Sequence, residues 1–427
     1  MMRNYPSEIM EKIYKTIFGE ELTPRIRSFS SDLQIVAIGT GIATFLGLVF
    51  QILAGRFLGP SEYGKYSLIQ SIGMILYVPM LFGFNTAMVK YSSEKEDAER
   101  QTKIISTTYI IVIALTVVLA AFFFLFQNFF ANLFHTSGDL FRLAVIFAIL
   151  YAFYTIATET ARGLFKMKIL AIFQSASAVI ILLAFLLFVF VKAVFTFESA
   201  VYPTFFAYVV VSVVLPAVFL RKYLKLLFSK EWAGTLESYG VFAVIGGISY
   251  AIYSNIDKIL INEYMTTSDL GIYKAYYLSS INVASLFSVV FNTVLFPTAS
   301  RHRDRKDLFN KIAKLIPYMI VVGVPVVFVC EFVILKIYGS KYSMNFPLMF
   351  MFAATSILAV SYSLYDWLVA SQGKRGIKIS TIIALITAAC NIIFLFCLLP
   401  HFALYGAILS LLLSYIVGLF FITHYKV

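Results

Sequence analysis

Few residues in this sequence can do chemistry in an apolar setting. Glu159, Asp257, Glu331 and Asp366 are carboxylates that interrupt long apolar runs. Arg162 and Lys258 are cations in the same runs, and Arg56 closes the first of them. Ionisable groups are costly in such surroundings and are functional candidates by default. A carboxylate withdrawn from water can take up a proton or a monovalent cation and release it on rehydration. Lysine presents a mobile point charge to an anion, whereas arginine grips an oxyanion with two parallel hydrogen bonds. Two pairs share one spacing: 366 − 159 = 207 for the acids, and 292 − 85 = 207 for Asn85 and Asn292.

Each residue also has a plainer reading. Glu159 and Arg162 stand at i,i+3 and can neutralise one another. Arg56 sits at a helix end, where it can snorkel to an interface. Glu331 is close enough to a span end to be solvated. Asp257 and Lys258 are neighbours on different helix faces, so a direct pair is not expected. Lys258 has Ser254 and Asn262 at i±4 and no acid. The two asparagines can serve as interhelical glue.

No nucleophile–base motif, P-loop or dinucleotide fingerprint accompanies these groups. His135, His302, His401 and His424 fall in loops or at the C-terminus, and Cys330, Cys390 and Cys397 lie in apolar runs without metal-ligand spacing. No catalytic residue, metal or cofactor is expected, and the chain is not read as an enzyme.

The elements that position these charges follow from composition. Of 427 residues 60% are hydrophobic and 13% are charged, about half the roughly 25% of soluble domains. Mean hydropathy is +0.87. An ordinary soluble enzyme, a disordered chain and a disulfide scaffold are all excluded, and the solvent for most of the chain is lipid. Twelve apolar stretches are long enough to cross it: 33–55, 64–90, 104–126, 142–165, 169–191, 200–220, 239–263, 271–297, 314–336, 346–371, 377–399 and 403–423. Period-2 patterning is absent, so the class is an all-α integral membrane protein. Gly39, Gly41, Pro79, Pro216, Gly246, Gly247 and Pro325 mark expected kinks and close helix contacts.

Net charge is +12. Eight of the 34 basic residues (Arg56, Lys65, Arg142, Lys192, Lys258, Lys274, Lys336 and Lys341) belong to loops after odd-numbered spans and their flanking helix ends. The other 26 fall in the N-terminal tail, the loops after even-numbered spans and the C-terminus. By the positive-inside rule both termini are cytoplasmic. The basic excess is therefore topological, with lipid head groups as a secondary partner and no nucleic acid implied. Residues 1–32 carry ten charges and no cleavable signal peptide. Ile9, Met10, Ile13, Ile17 and Phe18 predict a short amphipathic surface helix there. Residues 221–238 look similar and form a cytoplasmic linker.

The 207-residue spacing extends beyond the charges. ILAGRFLGPSEYGKY at 52–66 aligns without a gap on ILINEYMTTSDLGIY at 259–273, and Phe84-Asn85-Thr86 falls on Phe291-Asn292-Thr293. Eight identities result (Ile52, Leu53, Ser61, Gly64, Tyr66, Phe84, Asn85, Thr86), where unrelated helices give roughly three. Six spans per half is an even number, so both halves enter from the same side. The expected architecture is two six-helix bundles, 33–220 and 239–427, related by a pseudo-twofold axis along the membrane normal. That design is associated with alternating access.

The residues also carry a family likeness. AGRFLGPSEYGKYSL, NIDKILINEYMTTSDLGIYKAYYL, FNTVLFPTAS, ASQGKRGIKIS and NIIFLFCLLPHFALYGAILS occur in order. From about residue 33 the chain resembles the polysaccharide-biosynthesis flippases, relatives of the multidrug-and-toxin exporters and lipid II flippases. Many of those proteins have 14 spans; this chain has 12. The resemblance implies transfer of a polyprenyl-phosphate or diphosphate oligosaccharide from the cytoplasmic to the outer leaflet of the cell membrane, alongside glycan-assembly enzymes. Under it, Lys258, Arg56 and Arg162 contact the carrier phosphate. Asn85 and Asn292 bond sugar hydroxyls, and Asp257, Glu159 and Asp366 hold a coupling H⁺ or Na⁺. Tyr250, Tyr253, Tyr273, Tyr276 and Tyr277 crowd the second-half hairpin and offer ring faces to sugars. The alternative is an ion-coupled multidrug or small-solute antiporter of the same superfamily. A glycan polymerase or acyltransferase is disfavoured, because the longest outer loop is about 15 residues, around 127–141, and no histidine lies in a span.

Overall fold

The computed structural model describes residues 24–225, 227–286, 305–370, 372 and 374–424. The surface-helix prediction at 9–18, Asn292, the FNTVLFPTAS motif and the later part of the 271–297 span lie outside the described residues. Every regular element among the described residues is helical. In chain order they are α1 (Pro24–Leu81), α2 (Phe84–Ser93), α3 (Ala98–Leu125), α4 (Gln127–Leu133), α5 (Gly138–Gly163), α6 (Met167–Phe190) and α7 (Glu198–Val214). The second half holds α8 (Lys230–Tyr264), α9 (Thr267–Tyr277), α10 (Arg305–Tyr318), α11 (Val324–Tyr338), α12 (Phe346–Ala370) and α13 (Lys374–His424).

Nine helices among the described residues are long and apolar enough to cross a membrane. Two of them are broken and hold two of the expected spans each. α1 breaks at Gly59, which has φ +79 and is followed by Pro60. α13 breaks at Ala403, with φ +51, three residues after Pro400. A left-handed residue ends one helix, and a nearby proline with its fixed φ and missing N–H favours the break. A third break at Phe82 and Gly83 separates α1 from α2. Pro79 precedes that break, and Pro216 lies inside a π-helical turn (Leu215–Leu220). Pro325 follows another such turn (Met319–Gly323). Gly39 and Gly247 are approached by Ala171 and Val78, as expected of contact glycines, whereas Gly41 and Gly246 face open space.

Polar side chains start the helices where the chain leaves the apolar runs. Asp97 accepts from the N–H groups of Glu99 and Arg100, Ser229 from Trp232, and Thr266 forms a capping box with Asp269. Such caps satisfy the first free backbone donors. Ser229 begins α8, which runs unbroken to Tyr264, so residues 230–238 of the expected linker are its first turns.

Exposed Val117, Val118, Leu125, Ile172, Leu183, Phe190, Phe242 and Val321 clothe the outside. Apolar exteriors are unfavourable in water and suit a lipid solvent. The largest core cluster draws on both sequence halves: Tyr63, Tyr66 and Ile69 pack with Tyr273, Tyr276, Tyr338 and Phe352. A second cluster (Ile357, Leu364, Val369, Ile383, Ile422) belongs to the second half alone.

Candidate functional site between the two halves

The expected topology puts the basic loops at one end of the molecule and the remaining loops at the opposite, distal end. At the distal end the halves meet closely. The Arg56 guanidinium donates to the Ile337 carbonyl at 2.7 Å. Tyr342 Oη donates to the Gly55 carbonyl at 2.9 Å, and the hydroxyls of Tyr63 and Tyr338 lie 3.5 Å apart. Asn262 donates to the His135 carbonyl at 3.0 Å, beside the His135–Glu263 contact at 3.3 Å. Gly64 packs on the Thr267 carbonyl and Gly271 on the Pro60 carbonyl so closely that a Cβ on either glycine would overlap it.

Just inside this seam sit two lysines. Lys258 Nζ lies 3.0 Å from Asp257 Oδ1, so the two neighbours do form an ion pair. This corrects the expectation from helix faces. The long lysine stem turns back along α8, where Nζ also donates to the Ser254 carbonyl at 2.7 Å. Tyr273 Oη donates to Asp257 Oδ2 at 2.7 Å, and the Tyr277 ring lies 4.8 Å from the ammonium. Side-chain exposure is 12% for Lys258 and 5% for Asp257. Pairing and hydrogen bonding are the conditions under which charges tolerate such burial.

Lys274 is the residue that sequence reasoning missed. It stands two turns into α9 and crosses to the first half. There Nζ donates to Gln70 Oε1 at 2.6 Å and lies over the Tyr63 and Tyr66 rings at 5.3 and 5.1 Å. Gln70 Nε2 in turn donates to Tyr66 Oη at 2.8 Å. Among the described residues no carboxylate is within ion-pair distance of Lys274. It is close enough to Lys258 for the two ammonium groups to repel. The junction of the halves thus holds two half-buried lysines and one carboxylate, which is paired to Lys258. Its only sequence signal was a lysine eight residues after the Thr266 cap, in the segment that repeats the first hairpin.

The remaining candidates are dispersed. Arg162 and Glu159 form an i,i+3 pair at 2.6 Å with the arginine side chain 49% exposed. Asp366 accepts from Ser380 Oγ at 2.6 Å. Asn85 is half-buried at the break that begins α2. Glu331 is not a solvated helix end: it is 0% exposed. Val327, Leu335 and Tyr338 share its buried face, turned toward the interior.

Aromatic walls complete the region. In the first half Tyr151 lies 4.9 Å from Tyr77 and 5.9 Å from Tyr154, and Tyr154 lies 4.9 Å from Tyr208. Tyr151, Tyr154 and Tyr208 line a cavity of about 320 Å³ together with Thr40, Gln174 and Ser177. In the second half Tyr362 and Tyr415 are 5.8 Å apart. Tyr208 and Tyr415 differ by 415 − 208 = 207, the repeat spacing. Tyr250 is 70% exposed. It is in electrostatic reach of Tyr77 and Tyr151 on one side and of Tyr277 and Tyr415 on the other. The space it enters is therefore bounded by both halves. Tyr273 and Tyr276 are packed away, bonded to Asp257 and to the Ser343 carbonyl.

Comparison with known proteins gives this arrangement a family. The model for polysaccharide biosynthesis proteins matches residues 32–303, and the chain belongs to that family. It is a multi-pass membrane protein with the fold of the MATE-like transporters and flippases. An inward-facing multidrug resistance MATE family transporter of the MOP superfamily aligns with TM-score 0.73 and 12% identity, covering 88% of this chain and 93% of that one. The lipid II flippase MurJ, in an inward closed conformation, aligns with TM-score 0.70 and 17% identity, covering 91% and 86%. An uncharacterized membrane protein of Methanocaldococcus jannaschii is 25% identical over 219 residues. That match spans 50% of this chain and 42% of the relative's length.

Proposed function

We propose that this protein flips a polyprenyl-phosphate- or diphosphate-linked oligosaccharide from the cytoplasmic to the outer leaflet by alternating access. The observation that carries the reading is the placement of Lys258 and Lys274 where the two halves meet, in a chain of the polysaccharide-biosynthesis family. A phosphate is the ligand that answers two half-buried amines of which only Lys258 has a carboxylate partner. The tyrosine walls of both halves supply ring faces and hydroxyls for the saccharide. Arg56, Arg162, Asn85 and Asn292 are secondary cargo contacts, with Arg56 released when the seam parts. Asp257, Glu159 and Asp366 are the groups for a coupling H⁺ or Na⁺.

The architecture in this proposal is twelve spans in two six-helix bundles, 33–220 and 239–427. The breaks at Gly59 and Ala403 and the pseudo-symmetric glycine contacts support it. The basic loops and both termini then face the cytoplasm, and the sealed distal end faces outward. Cargo enters from the cytoplasmic side, and parting of the seam releases it outside.

Deleting the gene should trap lipid-linked oligosaccharide on the cytoplasmic leaflet, and the wild-type chain should restore surface glycan. Normal surface glycan in the deletion strain, with new sensitivity to organic cations, would instead support the multidrug antiporter. The acidic pair Glu159 and Asp366 beside aromatic walls is the observation that keeps that second reading in play.

A further inference from the structure

We infer that Glu331 is a proton-binding site whose occupancy decides whether the distal seam is sealed. The inference concerns this chain's own conformations and does not depend on the cargo.

The carboxyl group is enclosed and alone. Glu331 is fully buried, and among the described residues neither of its oxygens has a hydrogen-bond partner. The groups around it are committed elsewhere. On α9, Tyr276 is near enough to interact electrostatically, but its hydroxyl donates to the Ser343 carbonyl and accepts from the Asn345 N–H. Lys274 on the same helix is held by Gln70. In the π-helical turn Leu278–Asn282, Ser279 and Ser280 bond back to their own helix, as do Thr355 and Ser356 on α12. Asp366, the only acid of α12, bonds Ser380. From α1, Arg56 bonds Ile337 and Tyr63 faces Tyr338. On α11 itself Lys336 lies over the Phe332 ring, and Cys330 is a free thiol. The turn Met319–Gly323 carries no titratable side chain.

Among the described residues no cation therefore reaches the carboxylate. Enclosing it charged and unpaired is strongly unfavourable, whereas a bound proton removes the charge. A metal ion needs several oxygen ligands, and no cluster of three or more metal-ligating side chains occurs among the described residues.

The buried face of α11 connects this proton to the seam. Tyr338 stands seven residues beyond Glu331 on that face and meets Tyr63 of the first half. Parting the halves uncovers the face, hydrates Glu331 and lets the proton leave. Resealing then requires a proton to return. The sealed state thus binds one proton more than the open state, so acid favours sealing and alkali favours opening, about tenfold in the ratio per pH unit across the transition.

The test uses the full chain in lipid nanodiscs, with the native cysteines replaced and spin labels at the exposed positions Ser61 and Ser343. The parent should show a short distance at about pH 5 and a growing longer one toward about pH 9. Glu331→Gln should stay short throughout. Glu331→Met, which removes the carboxyl altogether, should do the same and guards against an effect peculiar to the amide. The inference is overturned if the parent is insensitive to pH, if both variants titrate like the parent, or if the distances follow sodium concentration and not pH.

Discussion

Gly64 and Gly271 occupy equivalent positions in the two repeats and make the same contact with each other's half. Gly64 rests on the carbonyl of Thr267 and Gly271 on that of Pro60, and 267 − 60 equals 271 − 64, which is 207. The contact is isologous within one chain, as at a twofold interface between identical subunits. Neither position has room for a Cβ. Gly64→Ala or Gly271→Ala should therefore separate the halves at the distal end and lower stability by about 1–3 kcal/mol. Thermal unfolding in detergent reads the loss. An unchanged melting temperature for both variants would contradict the close packing.

The buried pair Asp257–Lys258 should behave as a unit. Removing either charge alone leaves the other uncompensated, at a cost of about 3–5 kcal/mol. Replacing both with apolar residues of similar size should cost less than either single change. Comparison of Asp257→Leu, Lys258→Met and the double variant by thermal unfolding makes the cycle. A double variant no more stable than the worse single would show that the two side chains act separately.

Lys274→Met keeps the stem against Tyr63 and Tyr66 and removes the charge. The cation–π contacts contribute about 0.5–2 kcal/mol, so the variant should fold and reach the membrane at normal levels. Surface-glycan assembly should fall at least tenfold. Intact glycan in this variant would remove Lys274 from the cargo site.

Arg162→Ala should do little to stability. Its pair with Glu159 is half exposed, and such pairs contribute about 0–1 kcal/mol. A melting temperature within about 2 °C of the parent is expected. A larger drop would give the pair a structural role that its exposure does not suggest.

Much of this arrangement was legible in the residues. Apolar run lengths located the helices, and the repeat located the hairpins that meet at the seam. Asp257 and Lys258 stood out because charge is scarce in the spans. Three features were not legible, each for a physical reason. Lys274 looked like a basic residue at a helix end, because run length does not show that α9 turns this face toward Tyr63 and Tyr66. Glu331 looked solvated, because burial depends on what packs over a helix end. The Asp257–Lys258 pair looked unnatural, because a helical wheel fixes Cβ directions and ignores how far a lysine stem can turn back. The breaks at Gly59 and Ala403 arise from single left-handed residues, and only the first is a glycine.

The most direct test of the proposed activity is a leaflet assay. Lipid-linked glycan extracted from the producing cells and tagged with a fluorophore is reconstituted into vesicles with the purified full chain, and a membrane-impermeant quencher is added. Protein-free vesicles should lose about half the signal. Vesicles with the parent chain should lose nearly all of it, and those with Lys258→Met or Lys274→Met should resemble the protein-free control. Loss of only half the signal with the parent chain would contradict the proposal that this protein moves lipid-linked glycan between leaflets.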